Sequence, residues 1–170
     1  MVDGSHSLMS FFYSLKEMGH WEDSRESNLL DGFAHFYDTY ECSDNKYIAV
    51  GSIEPQFYSE LLDKLEIDDK QFQDQHNKKI WPELKEKMAA KIKLKSRSEW
   101  VEIFSDSDAC VSPVLSMEEA KKHPHNLSRD AFINIDGFNQ PNASPRFSIT
   151  NLEIKHNAKP IGSDQDDIYE

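Results

Sequence analysis

Two β-prone runs, Phe36 to Cys42 and Tyr47 to Ile53, stand on either side of the turn-forming tetrapeptide Ser43-Asp44-Asn45-Lys46. That arrangement predicts an antiparallel hairpin. Pro55 follows two residues later, and its fixed φ suits the first position of a helix. Phe57, Tyr58, Leu61, Leu62 and Leu65 then supply the apolar stripe of a short helix. A hairpin running straight into a helix commits this stretch to short, local connections.

The flanking segments read in the same way. Leu8, Met9, Phe11, Phe12, Leu15 and Met18 cluster on one wide face, which predicts a helix over residues 5–20 with Gly19 as its stop. Residues 21–35, rich in Asp, Ser, Asn and Gly, read as an irregular crossing segment. Pro82 opens a further helix on which Trp81, Leu84, Met88 and Ile92 share a face. Ser96 with Glu99, and Ser116 with Glu119, are capping-box pairs that predict two more helix starts. Between them, Ala109 to Leu115 reads as a short strand interrupted at Pro113. Beyond Asn126 the Pro, Asn and Ser content gives no regular pattern, and the acidic Ser163 to Glu170 reads as a first helical turn or a frayed tail. The predicted class is α+β, with no internal repeat.

A formal charge of −12 excludes a general nucleic-acid or anionic-membrane binder, which needs net Lys/Arg on a face. One basic run, Lys78 to Arg97, holds eight Lys/Arg against Glu83 and Glu86. It reads as a solvated helix face, with a landing patch for ligand phosphates as the sharper alternative. Hydrophobic residues make up 38% of the 170, a thin supply for a core of this length. Cys42 and Cys110 do not make a disulfide framework, which points to reduced thiols in an intracellular compartment. No apolar run approaches the roughly 18 residues that span a bilayer, and the N-terminus has no secretory pattern.

No Walker loop, dinucleotide glycine fingerprint or Gly-x-Ser-x-Gly elbow is present. His123-Pro124-His125 lacks the further ligands of a zinc site, so no metal is expected. Glu54 is the one candidate functional residue. It lies between a strand end and a helix start, where the helix dipole and unsatisfied N–H groups favour an anion. Two readings stand side by side: a helix-start carboxylate with no catalytic part, or an acid/base or orienting group.

Several segments, in order, resemble one family. They are Met1-Val2-Asp3-Gly4; Asn28-Leu29-Leu30-Asp31-Gly32 with Phe36-Tyr37-Asp38-Thr39-Tyr40-Glu41; Tyr47 through Tyr58; Trp100; Asp108-Ala109-Cys110-Val111-Ser112-Pro113-Val114; and Pro145-Arg146-Phe147. Together they are similar to the C-terminal portion of the α-methylacyl-CoA racemases within CoA-transferase family III. The string Glu54-Pro55-Gln56-Phe57-Tyr58 marks the racemase branch. Phe33-Ala34-His35 departs from the Gly-Ala-Pro usual there and puts a bulky side chain where the family keeps free backbone choice.

The resemblance implies the small domain of the family III fold, with a leftover helix of the large Rossmann-like domain. Residues 1–28 would be that remnant helix and crossing segment, 29–145 the small α+β domain, and 146–170 a return segment toward the large domain. It implies epimerisation at the α-carbon of a 2-methylacyl-CoA thioester by proton abstraction and return, with no separate cofactor. Glu54 would be a carboxylate supporting the catalytic His. That His and its Asp partner belong upstream of the Met-Val-Asp-Gly segment, so the chain is expected to be inactive alone and to start at Met1 through a truncated reading frame, a gene fragment or an alternative start. An interlocked homodimer and a mitochondrial or peroxisomal location are further implications. The alternatives are a CoA transferase of the same superfamily, whose acyl-carrying Asp would also lie upstream, and a non-catalytic interaction module or remnant. An unpartnered apolar face on the first helix would promote self-association.

Overall fold

The computed structural model describes residues 1–158 and 160–163. The chain divides into two units, Met1–Val114 and Leu115–Glu170. The first begins with α1 (Val2–Glu17). Its end is fixed by a double backbone turn: Gly19, at φ +74°, donates to the Lys16 carbonyl, and His20 donates to the Leu15 carbonyl at 2.8 Å. This is the pattern that a left-handed glycine after a helix allows. No α1 side chain is buried, and Leu8 and Phe11 are 82% and 58% exposed. The apolar face expected from the sequence is therefore open in this unit.

The irregular segment that follows is held by side chains rather than by regular structure. Asp31 accepts the backbone N–H groups of Ser27 and Asn28 and the Asn28 side-chain amide. Asn28, fully buried, also binds both the N–H and the carbonyl of Glu22. Burial alone would raise the Asp31 carboxyl; the hydrogen bonds from Asn28, Ser27 and Phe33 outweigh it and hold the group below the usual carboxylate range.

The predicted hairpin forms from β1 (Tyr37–Glu41) and β2 (Tyr47–Gly51), and β3 (Val111–Pro113) adds antiparallel to β2, giving the order β1-β2-β3. Tyr40 pairs with Ile48, and Asp38 with Val50. Tyr40, Ile48 and Val50 are buried, whereas Thr39 and Tyr47 point the other way and are exposed. The period-2 alternation thus leaves one sheet face inside and one open. The inner face joins a core with α2 (Pro55–Lys64), a 3-10 turn (Lys70–Gln73), α3 (Trp81–Ile92) and α4 (Arg97–Ile103). Phe36, Leu61, Leu65, Phe72, Trp81, Leu84, Met88, Ile92 and Trp100 are almost wholly buried, each stabilising by roughly 1.5–3 kcal/mol relative to exposure. The two indole N–H groups are satisfied by the carbonyls of Gln75 and Ile92, both at 2.7 Å. The Ser96–Glu99 capping box forms as expected.

In the second unit, Ser116 and Glu119 cap α5 (Met117–Lys122), and α6 (Pro124–Ser128) follows. β4 (Phe132–Ile135) and β5 (Phe138–Pro141) then pair antiparallel around Asp136 (φ +51°) and Gly137 (φ +86°). Left-handed backbone at both central residues is the I′ turn that Asp-Gly favours. This hairpin lies where the sequence pattern gave no regular structure. The acidic run assigned to a helical turn or frayed tail lies, from residue 164 onward, outside the described residues. Among the described residues, six helices and two small antiparallel sheets give an α+β architecture, as predicted.

Candidate functional site

Glu54 sits at the N-cap of α2, three residues past the end of β2. The backbone leading to it is held on several sides. Gly51 donates to the Cys110 carbonyl, Ser52 Oγ to the Ala109 carbonyl, and Gln75 Nε2 to the carbonyls of both Ser52 and Ile53. The Glu54 carbonyl accepts from Tyr58 N–H, the first turn of α2, while Pro55 removes one N–H at the helix start. The Glu54 side chain makes no capping hydrogen bond and is exposed. A rigid backbone thus presents a carboxylate with open acceptor positions, a geometry suited to accepting a hydrogen bond from an incoming group.

The neighbourhood is negative. Burial, then the charges of Glu54, Asp108 and Glu60, push the Cys110 thiol up, which makes it a poor nucleophile. Cys110 is exposed, with φ +54°. It also lines a hollow of about 450 Å³ beside the sheet, with Leu30, Gly32, Tyr37, Gly51 and Ser112. Gly32, at φ +88°, is a wall residue whose backbone requires glycine. Lys85 of α3 holds that wall by bridging the Gly32 carbonyl and the Asp38 carboxylate. Phe33 packs edge-on against Trp81, with ring centroids 5.4 Å apart.

The string Glu54 to Tyr58 divides between two roles. Glu54 faces outward, whereas Tyr58 is buried and donates to the Phe72 carbonyl at 3.0 Å. Its oxygen therefore accepts from His35 Nε2, 2.7 Å away. His35 Nδ1 is left buried with no partner. Burial, with a smaller contribution from His76, lowers His35 to about 4, so it is neutral at ordinary pH. Sequence reasoning marked His35 only as a departure from a pattern; nothing local signalled its complete burial.

The basic run is committed mainly to ion pairs. Lys85 meets Asp38, Lys87 meets Asp69 and Glu83, Lys91 meets Glu66, and Lys93 meets Glu41. Lys95 lies 5.7 Å from the Trp100 ring centroid. The solvated-face reading fits these contacts better than a phosphate landing patch. Among the described residues, no three His, Cys, Asp or Glu side chains group as metal ligands, and no helix is long and apolar enough to cross a membrane.

The fold and this junction define an α+β module in which a well-held backbone presents an exposed carboxylate near the end of the sheet. The chain belongs to CoA-transferase family III, whose family model matches residues 1–165. It is 44% identical to mouse α-methylacyl-CoA racemase over 145 residues, covering 85% of this chain and 38% of that protein. Against human α-methylacyl-CoA racemase the identity is 41% over 146 residues, covering 86% and 37%. A CaiB/baiF CoA-transferase family protein of Caenorhabditis elegans is 30% identical over 118 residues, covering 69% and 33%. The chain therefore spans under two fifths of the length of these relatives. Among solved structures, Rv3272 from M. tuberculosis, in an orthorhombic crystal form, matches with a TM-score of 0.61 at 15% identity, over 73% of this chain and 36% of that one. That likeness establishes a shared fold.

Proposed function

We propose that the chain works as the C-terminal part of a 2-methylacyl-CoA racemase. Its 44% identity to the mouse racemase over 85% of its length carries the reading. Inversion at the α-carbon requires a base to take the proton from one face and an acid to return one to the other, while N–H donors stabilise the enolate oxygen. Glu54 is assigned the supporting part: its exposed carboxylate accepts a hydrogen bond from the proton-transferring imidazole and orients it. The imidazole and the partner Asp are supplied by residues outside these 170, so the chain alone catalyses no exchange. On this reading residues 1–28 pack with the large domain, 29–145 form the small domain and 146–170 return toward the large one. The assembly is an interlocked dimer in a mitochondrion or peroxisome.

The test is deuterium wash-in at the α-carbon of 2-methylacyl-CoA. The chain is assayed alone and then mixed with a full-length racemase carrying Glu→Ala at the position of Glu54. Exchange in the mixture only is the expected result. Exchange by the chain alone overturns the assignment of the proton-transferring groups to other residues. No exchange in either, with a folded chain, overturns the racemase reading. The 30% identity to the nematode CoA-transferase family protein favours a second reading, CoA transfer to an acid acceptor. It predicts a new thioester product and no α-deuteration.

A further inference from the structure

Residues 1–114 carry 13 Lys/Arg against 22 Asp/Glu, and residues 115–170 carry six against nine. Two of those six, Arg129 and Arg146, line one hollow of about 530 Å³ in the second unit, together with Asn142 and Ser144. Arg129 caps the C-terminus of α6, and Arg146 lies on the loop after β5. Among the described residues neither guanidinium has a carboxylate within ion-pairing distance, in contrast to most lysines of α3. Asp130 lines an adjoining hollow that shares Asn142 and Arg146 with this one.

The hollow is held from behind. The Asp130 carbonyl accepts both Asn142 Nδ2 at 2.9 Å and Arg146 Nη2 at 3.2 Å. Asn142 N–H donates to Ala131 at 2.9 Å, and the Asn142 side-chain oxygen accepts Ala143 N–H. One N–H of Arg146 is thus used to fix the guanidinium plane, and the remaining donors of its fork stay available. Two guanidinium groups on one concave surface repel each other until an anion joins them. A phosphoryl dianion matches both the charge and the fork geometry of arginine.

We propose that this hollow is a binding site for a phosphoryl group, held between Arg129 and Arg146. The inference rests on the geometry of the second unit and not on the racemase reading, and it is tested by binding alone. The full 170-residue chain is titrated with inorganic pyrophosphate while backbone amide shifts are followed by NMR. Saturable shifts confined to residues near 129–131 and 142–146 are expected, with affinity about tenfold weaker in R129Q and in R146Q. K155Q removes an exposed charge from the same unit outside the hollow and is expected to bind like wild type. Equal weakening in K155Q, or no saturable shift in a folded chain, overturns the site. Parallel titrations with CoA and with dephospho-CoA identify the source of the phosphoryl group: tighter binding by CoA than by pyrophosphate assigns it to a nucleotide ligand, and tighter pyrophosphate binding assigns it to a free phosphate.

Discussion

The two units are built from similar pieces and held together differently. Each contains an antiparallel hairpin and a helix started by a Ser/Glu capping box. The first wraps its pieces around Trp81, Trp100, Phe36 and Phe72, all almost fully buried. The second has no fully buried residue among those described, and its order rests on caps, turns and side-chain amides such as Asn142 and Asn157. Local hydrogen bonds specify conformation, but each adds only about 1 kcal/mol net. Apolar burial supplies the larger, cooperative stabilisation. The difference separates sequence features that determine shape from those that determine stability.

The largest test of this contrast is a pair of aromatic deletions. Trp81→Ala removes a side chain that is 2% exposed and whose N–H is satisfied; it should cost about 3–5 kcal/mol. Phe138→Ala removes one that is 68% exposed on the second hairpin and should cost about 0.5 kcal/mol or less. Because Trp21, Trp81 and Trp100 all lie in the first unit, urea-dependent amide exchange, read over α3 for the first variant and over β4 and β5 for the second, measures both. A comparable loss from Phe138→Ala would mean that the second unit buries this ring in solution.

The next effect is specific to the first unit and depends on pH. His35 has an ordinary value of 6.5 and is lowered to about 4 in the fold. A group lowered on folding contributes stability that is fully present above 6.5 and is lost as pH falls toward 4, because the unfolded chain takes up the proton first. The loss approaches about 3 kcal/mol by pH 4. His35→Phe should flatten that part of the stability curve between pH 6.5 and 4, visible as a difference between the two variants' urea midpoints. Carboxylates such as Asp31 titrate in both proteins and cancel in the difference. If the two curves run parallel, the imidazole is not held neutral by this core.

The same contrast explains what was readable from sequence. Signals that act over four residues were legible: both capping boxes, Pro55 at a helix start, Gly19 at a helix stop and the first hairpin all stand where the pattern put them. Asp136-Gly137 carried an equally local signal for the second hairpin, masked by the Pro, Asn and Ser around it. The Phe72 turn and the burial of His35 had no such signature, since both depend on partners in α2 and the 70–73 turn. Glu54 was legible as a junction residue. The hollow beside the sheet was not, because its walls come from residues near 31, 38, 50 and 111 that meet only in the fold. A site assembled from distant segments leaves little trace in any one of them.

The smallest effect is the most discriminating. Ser96→Ala and Ser116→Ala delete the same hydroxyl from the same kind of cap, each accepting an N3 backbone N–H. Each should weaken its helix by about 1 kcal/mol. α4 carries buried Trp100, whose indole N–H reaches the Ile92 carbonyl, so uncapping α4 is felt by the whole core and should shift the global unfolding midpoint. α5 has no buried residue, so uncapping it should leave that midpoint unchanged and instead speed amide exchange over residues 117–122 by about fivefold. Equal shifts of the global midpoint would show that the two units unfold as one cooperative block and that the second is stabilised by more than its own hydrogen bonds.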